Sequence, residues 1–569
     1  MNVGKRWRLR CIEVGAHGAE CEGELLLRSF RKVIRLSIGQ DPLGAAIAVI
    51  SIGFLGALPW FWGPFWTNDG PAHVAMARLL ISGPAGPTQA AIYESAWAVV
   101  PNVLGYPIAG VLAIALGAEA AEAIWQAICL ASIPASVWLA IRLIAPGHYA
   151  WVGVAGCFSL SQMFFWGLYN YILSLAAFVV CAALTVRAVR DGGRWWVGLA
   201  GGLVVAFLSH AGGLVAALLF LLAWQLPPVV GAARTNGVAA IVRLSTPAIL
   251  AVGPVLLLCL VYVSHHGGSH SAFGPGLFSR VRTLLQLKVL APFGVWDAYL
   301  ALGVVMTMAI ALALALALAL RRAWQTAQSA QWQPTTGWHW LLALSLSVVL
   351  VLAFPDKLGG GWGHFRRLVP VPFLLALLFI ATQMPVRWSH AFGTAGLAIT
   401  FGQASLALHQ HFRITPIATV ALAELEEVRS GCTVLPLIPR PQLTPGLYYA
   451  PLMHIATRME WNADRVALYN FLVHLGIYPV HYRTRQHNPM EVFFGSKGAA
   501  VRDFSPDGDL GRWHAASGVP VDYLFVQEPV TLLTSSQAAL LKQFERVNSE
   551  VDLPYTLWKR QKVARVGCD

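Results

Sequence analysis

Polar residues that could do chemistry stand at three places where apolar runs end, and the first is "TNDGPAH" at 67–73. It places Asn68, Asp69 and His73 directly after the aromatic run "PWFWGPFW". Asp69 differs from an ordinary loop acid, because it stands directly between a Trp-rich membrane boundary and the amphipathic segment "HVAMARLL". The same pattern also suits a structural role, because aspartate is a good N-cap for a helix that begins near Gly70. In such a helix His73 would share a face with Asp69.

The second place is "PDKLGGGWGHFRRLVPVPFLLALLF" at 355–379. Three consecutive glycines let the backbone approach a ligand closely, and they stand among four cations or hydrogen-bond donors: Lys357, His364, Arg366 and Arg367. This cluster suits a phosphate group. The alternative, in which the arginine pair extends to lipid headgroups at the membrane surface, stays open.

The third place is "GLFSRVRTLLQLKVL" at 276–290, which predicts an amphipathic helix in the outer interface that carries Arg280 among its bases. Trp166, Tyr169 and Asn170 fall at a predicted outer turn. Aromatic residues at such turns most often form an interfacial belt, and we adopt that interpretation for Trp166 and Tyr169.

The remaining polar residues on the predicted outer face receive simpler interpretations. Glu94, Glu119 and Glu122 are expected to be solvated acids in loops. His210 and "HHGGSH" at 265–270 contain the right residue type for a metal, but a flexible glycine-rich loop is a weak signal. We therefore predict no metal site there.

The elements that position these residues follow from composition. The chain is 57% hydrophobic and 12% charged, with a mean hydropathy of +0.60, so it is predicted to be a polytopic membrane protein. A crossing helix needs roughly 20 apolar residues. Eleven spans are predicted, at 42–62, 123–141, 149–165, 168–186, 195–208, 211–226, 244–264, 298–320, 338–354, 368–384 and 391–409.

The distribution of basic residues orients these spans. Residues 1–41 are predicted to be a cytoplasmic tail, since their first forty positions hold eight Lys or Arg and no signal-peptide pattern. An odd number of crossings then puts the C-terminus outside. The apolar run at 101–117 is interpreted as part of one long external loop, 63–120, because a crossing there would reverse every later arginine cluster. An ordinary twelfth span remains the alternative.

Composition changes after the transmembrane part, 42–409, and residues 410–569 read as an external soluble α/β domain. Helices are predicted in "IATVALAELEEVRSG", "ADRVALYNFLVHLG" and "SSQAALLKQFERV", the last capped by Ser535, and strands in "CTVLPLI", "VDYLFVQ" and "YTLWKRQ". Sixteen bases and fifteen acids nearly cancel there, so the net charge of +13 lies in the tail and cytoplasmic loops and indicates no nucleic-acid partner.

The external domain shows no catalytic motif, and its predicted role is covering or partner binding. A Cys432–Cys568 disulfide is compatible with its location, and the spacing of these cysteines does not decide the question.

The whole arrangement resembles the GT-C superfamily of polyprenyl-phosphate-sugar-dependent glycosyltransferases, related to protein mannosyltransferases and lipid A aminoarabinose transferases. The matching motifs are "TNDGPAH", which places an acid in the first external loop, and "HFRRLVPVPFLLAL" at the start of a late span. The resemblance implies an α-helical polytopic fold of about 11 to 12 transmembrane helices with a C-terminal soluble α/β domain.

The resemblance also implies a function and residue roles. A sugar would move, with inversion, from a polyprenyl-phosphate donor to a glycan, lipid or protein acceptor at the outer face of a bacterial inner membrane. The implied roles are general base for Asp69, acceptor-side contact for His73 and Asn68, and donor-phosphate binding for Arg366, Arg367, Lys357 and His364.

The sequence departs from that family in two ways. The next external loop, "QMFFWGLYN", has no acid, which argues against a bound divalent metal, and no cofactor is predicted with certainty. The usual pair of adjacent acids is replaced by Asn68-Asp69-Gly70. A non-catalytic scaffold that presents its external domain to a partner therefore remains an alternative. A transporter of lipid-linked sugars is disfavoured, because it would need ionisable residues within the spans.

Overall fold

The computed structural model describes residues 39–95, 99–235, 237–266, 274–328, 337–358, 361–438, 447–474, 478–483, 488–489, 492–493, 506–548 and 553–561. In chain order its first helices are α1 (Pro42–Trp62), α2 (Gly70–Ser82), α3 (Pro87–Ile92), α4 (Gly105–Leu116), α5 (Ala118–Ile144), α6 (Val152–Gly156), α7 (Gln162–Phe165), α8 (Tyr169–Asp191), α9 (Arg194–Ser209), α10 (Ala211–Thr235), α11 (Gly237–His266), α12 (Leu277–Leu285), α13 (Val295–Gln328), α14 (Gly337–Ala353), α15 (His364–Leu368), α16 (Pro370–Gln383) and α17 (Val386–Glu426).

Within these ranges, eight helical segments are long and apolar enough to cross a membrane. They are α1, α5, α8, α10, α11, α13, the joined α15–α16 and α17, and three shorter apolar helices, α4, α9 and α14, accompany them. The polytopic helical fold class is thus confirmed. α4, which covers the predicted 101–117 run, has 12 residues, or about 18 Å of helix, and is short for a bilayer crossing.

The predicted span at 149–165 is not one continuous helix. The structure divides it into a 3₁₀ turn at Tyr149–Trp151, then α6 and α7, with a non-helical stretch between them. The segment is buried and runs along α1, because the Tyr149 hydroxyl donates to Gln40 before that helix and the Phe165 carbonyl accepts from Asn68 after it. A Cβ on Gly153 would strike the carbonyl of Gly393 in α17, which shows how closely the two backbones pack.

α17 has 41 residues and passes the predicted boundary at 409 without a break. Beyond it lie α18 (Phe471–His474), α19 (Pro506–Ser517) and α20 (Ser535–Leu541), with strands β4 (Thr433–Leu437), β5 (Val466–Ala467), β6 (Val480–Tyr482), β7 (Tyr523–Gln527), β8 (Phe544–Arg546) and β9 (Tyr555–Arg560). Five strands form a mixed sheet in the order β5-β4-β7-β9-β8. Every described side chain of β4 and β7 is buried, so these strands form its core.

All three predicted strands of the C-terminal region, residues 410–569, are confirmed as β4, β7 and β9. The helix predicted in "ADRVALYNFLVHLG" is wrong over most of its length, because Val466 and Ala467 pair with β4 instead. α20 begins at Ser535, but its cap is Thr534, which exchanges hydrogen bonds with Gln537 in a capping box. Cys432 is disulfide-bonded, and Cys568, the partner left open by the sequence, lies outside the described residues.

The first loop (63–120) and the C-terminal region are directly joined. β1 (Tyr93–Ser95) pairs antiparallel with β6, in the register Tyr93 opposite Tyr482. The carboxylate of Asp464 accepts hydrogen bonds from the first backbone N–H groups of α3, those of Thr88 (3.0 Å) and Gln89 (2.8 Å). A side chain from the far end of the chain thus caps a loop helix. Two more strands, β2 (Lys357–Leu358) and β3 (Gly361–Trp362), form a separate hairpin before α15.

Candidate active site at the first loop

Asp69 occupies the N-cap position of α2 but does not perform the capping role that the position suggests. Its side chain makes no capping hydrogen bond, and its backbone is already helical, with φ −101° and ψ −6°. Only a fifth of the side chain is exposed, and Oδ1 lies 3.4 Å from Nε2 of His454. The carboxylate is therefore available to another partner.

Burial raises the pKa of Asp69 to about 7, and the nearby Arg367 guanidinium opposes that rise. The carboxylate also interacts electrostatically with the phenols of Tyr106, Tyr469 and Tyr478. A carboxylate with a pKa near neutrality can both accept and release a proton at physiological pH. These surroundings are what a general base needs.

His73 lies one turn further along α2 and is almost fully buried. Its Nδ1 is 2.6 Å from the Tyr106 hydroxyl. Burial and the neighbouring His454 lower the pKa of His73 to about 3, while a hydrogen bond with the Gly167 backbone opposes the change. His73 is therefore neutral at physiological pH. Its acceptor-side role stays a prediction.

Asn68 links the first loop to the C-terminal region, because its Oδ1 accepts a hydrogen bond from the backbone N–H of Ala450. Its own N–H donates to the Phe165 carbonyl at 3.0 Å. These contacts fix the loop immediately before Asp69. Whether Asn68 also contacts an acceptor, as the resemblance implies, stays a prediction.

Arg367 is the predicted phosphate ligand that the structure brings into electrostatic contact with Asp69. One guanidinium nitrogen lies 3.0 Å from Nε2 of His210, and the Arg367 carbonyl accepts a hydrogen bond from the Tyr171 hydroxyl. Its Nε is buried and makes no hydrogen bond within the described part of the chain. A buried donor of this kind has unused capacity for an anion.

The other three predicted phosphate ligands have different surroundings. The Arg366 guanidinium lies 5.9 Å from the centroid of the Phe365 ring. Lys357 is exposed and opposite Trp362 in the β2–β3 hairpin. His364 is half-buried, donates its backbone N–H to the Asp356 carbonyl at 3.2 Å, and interacts electrostatically with His210. Their phosphate-binding roles stay predictions.

The belt interpretation of Trp166 and Tyr169 is wrong. Trp166, Tyr169 and Asn170 are 8%, 0% and 4% exposed. The Tyr169 hydroxyl accepts a hydrogen bond from Gln126 at 2.8 Å, and the Trp166 indole donates to the Tyr448 carbonyl at 2.9 Å. The first loop and the C-terminal region cover this turn, so its side chains pack inside the protein against the segment that carries Asp69.

Glu122 was expected to be solvated, but it is fully buried. Its carboxylate lies 2.8 Å from a guanidinium nitrogen of Arg458. That guanidinium stands between two indole rings, 4.4 Å from the centroid of Trp66 and 4.8 Å from that of Trp461. Such a pair is stable when buried only because charge, hydrogen bonds and aromatic faces compensate its desolvation. It fixes the C-terminal region to α5 close to His454.

Arg280 also departs from the prediction, since it is 2% exposed and does not lie in the interface. It donates a hydrogen bond to the carbonyl of Leu352 at 3.0 Å, and another to that of Phe354, at the end of α14. A cation at the C-terminal end of a helix satisfies carbonyls that the helix leaves free. The same helix, α12, still exposes Leu277 and Phe278.

Sequence reasoning missed His454, and it assigned no chemistry to the C-terminal region that carries this residue. A lone histidine in "APLMHIATRME" has no motif or periodicity that could have revealed it. Within the described residues no group of three or more His, Cys, Asp or Glu could hold a metal ion. Positions 267–270 of the His-rich stretch lie outside those residues.

No protein-family model and no curated protein sequence matches the chain. Among solved structures it is similar to ArnT from Cupriavidus metallidurans in the apo state, with a TM-score of 0.49, 10% identity, and coverage of 95% of this chain and 98% of ArnT. It is also similar to ArnT from the same organism bound to undecaprenyl phosphate, with a TM-score of 0.51, 11% identity, and coverage of 92% and 98%. The chain therefore has the polytopic fold of ArnT, and the fold expected from its resemblance to the GT-C superfamily is confirmed.

Proposed function

We propose that this protein is an inverting membrane glycosyltransferase that moves a sugar from a polyprenyl-phosphate donor to a hydroxyl acceptor. The observation that carries the proposal is the electrostatic pairing of Asp69 with Arg367. Asp69 is half-buried and does not cap α2, and the Nε of Arg367 is buried. One supplies a base and the other supplies a fixed positive charge. Sugar transfer from a lipid phosphate needs both.

The chemistry follows from these two groups. Asp69 accepts the proton of the acceptor hydroxyl while the hydroxyl oxygen forms a bond to the anomeric carbon. The bond between that carbon and the phosphate oxygen breaks, and its electron pair leaves with the lipid phosphate. Arg367 stabilises the negative charge that develops there. A single displacement of this kind inverts the configuration of the sugar.

Two further points support the assignment. A protein of the same fold, ArnT, has been crystallised with undecaprenyl phosphate, which supports a polyprenyl-phosphate donor for this chain. Lys357, His364 and Arg366 lie close in sequence to Arg367, and we assign them to the wider phosphate-binding region. Catalysis is proposed to occur at the outer face of a bacterial inner membrane, with the N-terminus cytoplasmic and the C-terminal region outside.

The test uses purified full-length protein in liposomes with radiolabelled undecaprenyl-phosphate sugars, one sugar at a time. Asp69→Asn should lower the transfer rate by about 10²- to 10⁴-fold, the usual contribution of a general base. Asp41→Asn is the matched control. Asp41 also occupies an N-cap position and also faces a histidine, but at the opposite end of α1. The Asp41→Asn protein should transfer the sugar at the wild-type rate.

Two outcomes would contradict the proposal. Equal transfer by wild type and Asp69→Asn would remove Asp69 as the base. Binding of labelled undecaprenyl phosphate by a wild-type protein that transfers none of the sugars tested would favour the non-catalytic scaffold.

A further inference from the structure

His454 presents one particular nitrogen to Asp69. Its Nδ1 lies 3.2 Å from the backbone carbonyl of Tyr469, and the imidazole stacks on the Tyr469 ring with centroids 5.0 Å apart. A carbonyl oxygen can only accept, so Nδ1 carries the proton in this hydrogen bond. In the neutral ring Nε2 then carries none, and it is this atom that lies 3.4 Å from Oδ1 of Asp69.

Two acceptor atoms therefore face each other in a place that is almost closed to water. His454 is 1% exposed, and four-fifths of the Asp69 side chain is covered. Facing lone pairs repel, whereas a single proton between them turns the repulsion into a charge-assisted hydrogen bond. The geometry is thus suited to hold one proton in addition to the one on Nδ1.

We propose that Asp69 and His454 share one proton, and that His454 is a positioning residue that holds the proton which Asp69 removes from the acceptor. This inference rests on the proposed function for the source of the proton, but the shared proton itself does not. The proton leaves the acceptor oxygen for Asp69, is held against Nε2 of His454, and later passes to water. No other reactant is needed.

The burial and the neighbouring groups of Asp69 and His454 favour a shared proton. The groups that face Asp69 and His454 are Arg367, His73 and the phenols of Tyr106, Tyr469 and Tyr478. Burial holds the pKa of Asp69 up at about 7 and lowers that of His454 to about 4. Below pH 7 the shared proton therefore rests on Asp69 and is donated to Nε2. Above pH 7 it is lost, and the carboxylate is ready to act.

The test compares His454→Gln with wild type. A glutamine amide at this position can donate a hydrogen bond to the charged carboxylate, which the unprotonated Nε2 of His454 cannot do, so it favours the charged form of Asp69. We expect the acidic limb of the pH–rate profile to move down by about one pH unit, with a severalfold lower maximum rate. The matched control is His390→Gln, because His390 lies 2.7 Å from Asp41. Its profile should stay unchanged. A rate lowered equally at every pH would mean that His454 only packs.

A second readout does not depend on transfer. The infrared band of the protonated Asp69 carboxyl can be identified by its absence from Asp69→Asn, and then followed against pH. In wild type it should disappear near pH 7, and in His454→Gln at a lower pH. An unshifted band would overturn the shared proton, whatever the transfer rate. The expected shift in a protein that transfers no sugar would instead refute the proposed function and leave the pair standing.

Discussion

Two aspartate–histidine pairs stand at opposite ends of α1. Asp41 precedes this helix and Asp69 follows it, each at the N-cap position of a helix with proline in its first turn. Oδ1 of Asp41 accepts hydrogen bonds from the Gly44 backbone at 2.9 Å and from His390 at 2.7 Å. Asp69 receives no capping bond and faces His454 at 3.4 Å.

The difference separates a structural acid from the acid that we propose as the base. The Asp41 carboxylate is occupied by donors from two elements, and the side chain is almost fully buried. Asp69 keeps a fifth of its side chain exposed and accepts no capping hydrogen bond from α2. The local sequences "QDPLG" and "NDGPAH" do not distinguish the two cases, because both read as good helix starts.

The largest expected effect tests how the two acids respond to pH. The folded pKa of Asp69 is about 7 against an ordinary value of 3.8, so its folded form prefers the proton. Wild type therefore loses stability as the pH rises from about 4 to about 7, by up to about 4 kcal/mol. Asp69→Asn removes this loss. In thermal unfolding it should gain stability over wild type, more at pH 8 than at pH 5.

Asp41→Asn serves as the comparison, because it breaks an occupied pair and should gain nothing at either pH. A gain from Asp69→Asn that is the same at pH 5 and pH 8 would show that the Asp69 carboxyl does not titrate in this range.

The second prediction concerns the glycines that pack against the two acids. Gly167 has a φ of +78°, and a Cβ there would lie 2.7 Å from the Gly70 nitrogen and 2.8 Å from that of Asp69. Gly167→Ala should displace the Asp69 backbone and lower the transfer rate by about 10²-fold. Gly44→Ala would strike the Asp41 carboxylate instead. It should lower the melting temperature and keep the transfer rate within a few-fold of wild type. A Gly167→Ala protein with full transfer would contradict this placement of the base.

The smallest expected effect isolates the capping bond. Asp41→Ala should cost about 1 kcal/mol more than Asp41→Asn, because asparagine can still accept the Gly44 N–H and alanine cannot. Asp69→Ala and Asp69→Asn should differ by much less, since Asp69 makes no such bond. Denaturant unfolding at a pH below 7 measures all four variants. A similar gap at both ends of α1 would mean that Asp69 caps α2 in solution.

The long apolar helices and three strands of the C-terminal region were predictable, because apolar runs and alternation are local patterns. The sequence also singled out Asp69 and Arg367, which the structure brings close together. Most of the site is not local. His454 and Arg458 reach Asp69 and Glu122 from a distant part of the chain. A single sequence does not indicate such pairings. Hydropathy also located the apolar run at 149–165 but did not show that it is divided into short helices.

The joining of the first loop to the C-terminal region has a consequence for how the protein matures. Synthesis proceeds from the N-terminus, so Asp69 is made early, while His454 and strand β6 follow only after all the long apolar helices. The pair at Asp69 can form only when the last helix is in place and the C-terminal region has folded onto the loop. A nascent chain therefore carries the proposed base without its partner, and we expect sugar transfer only after assembly is complete.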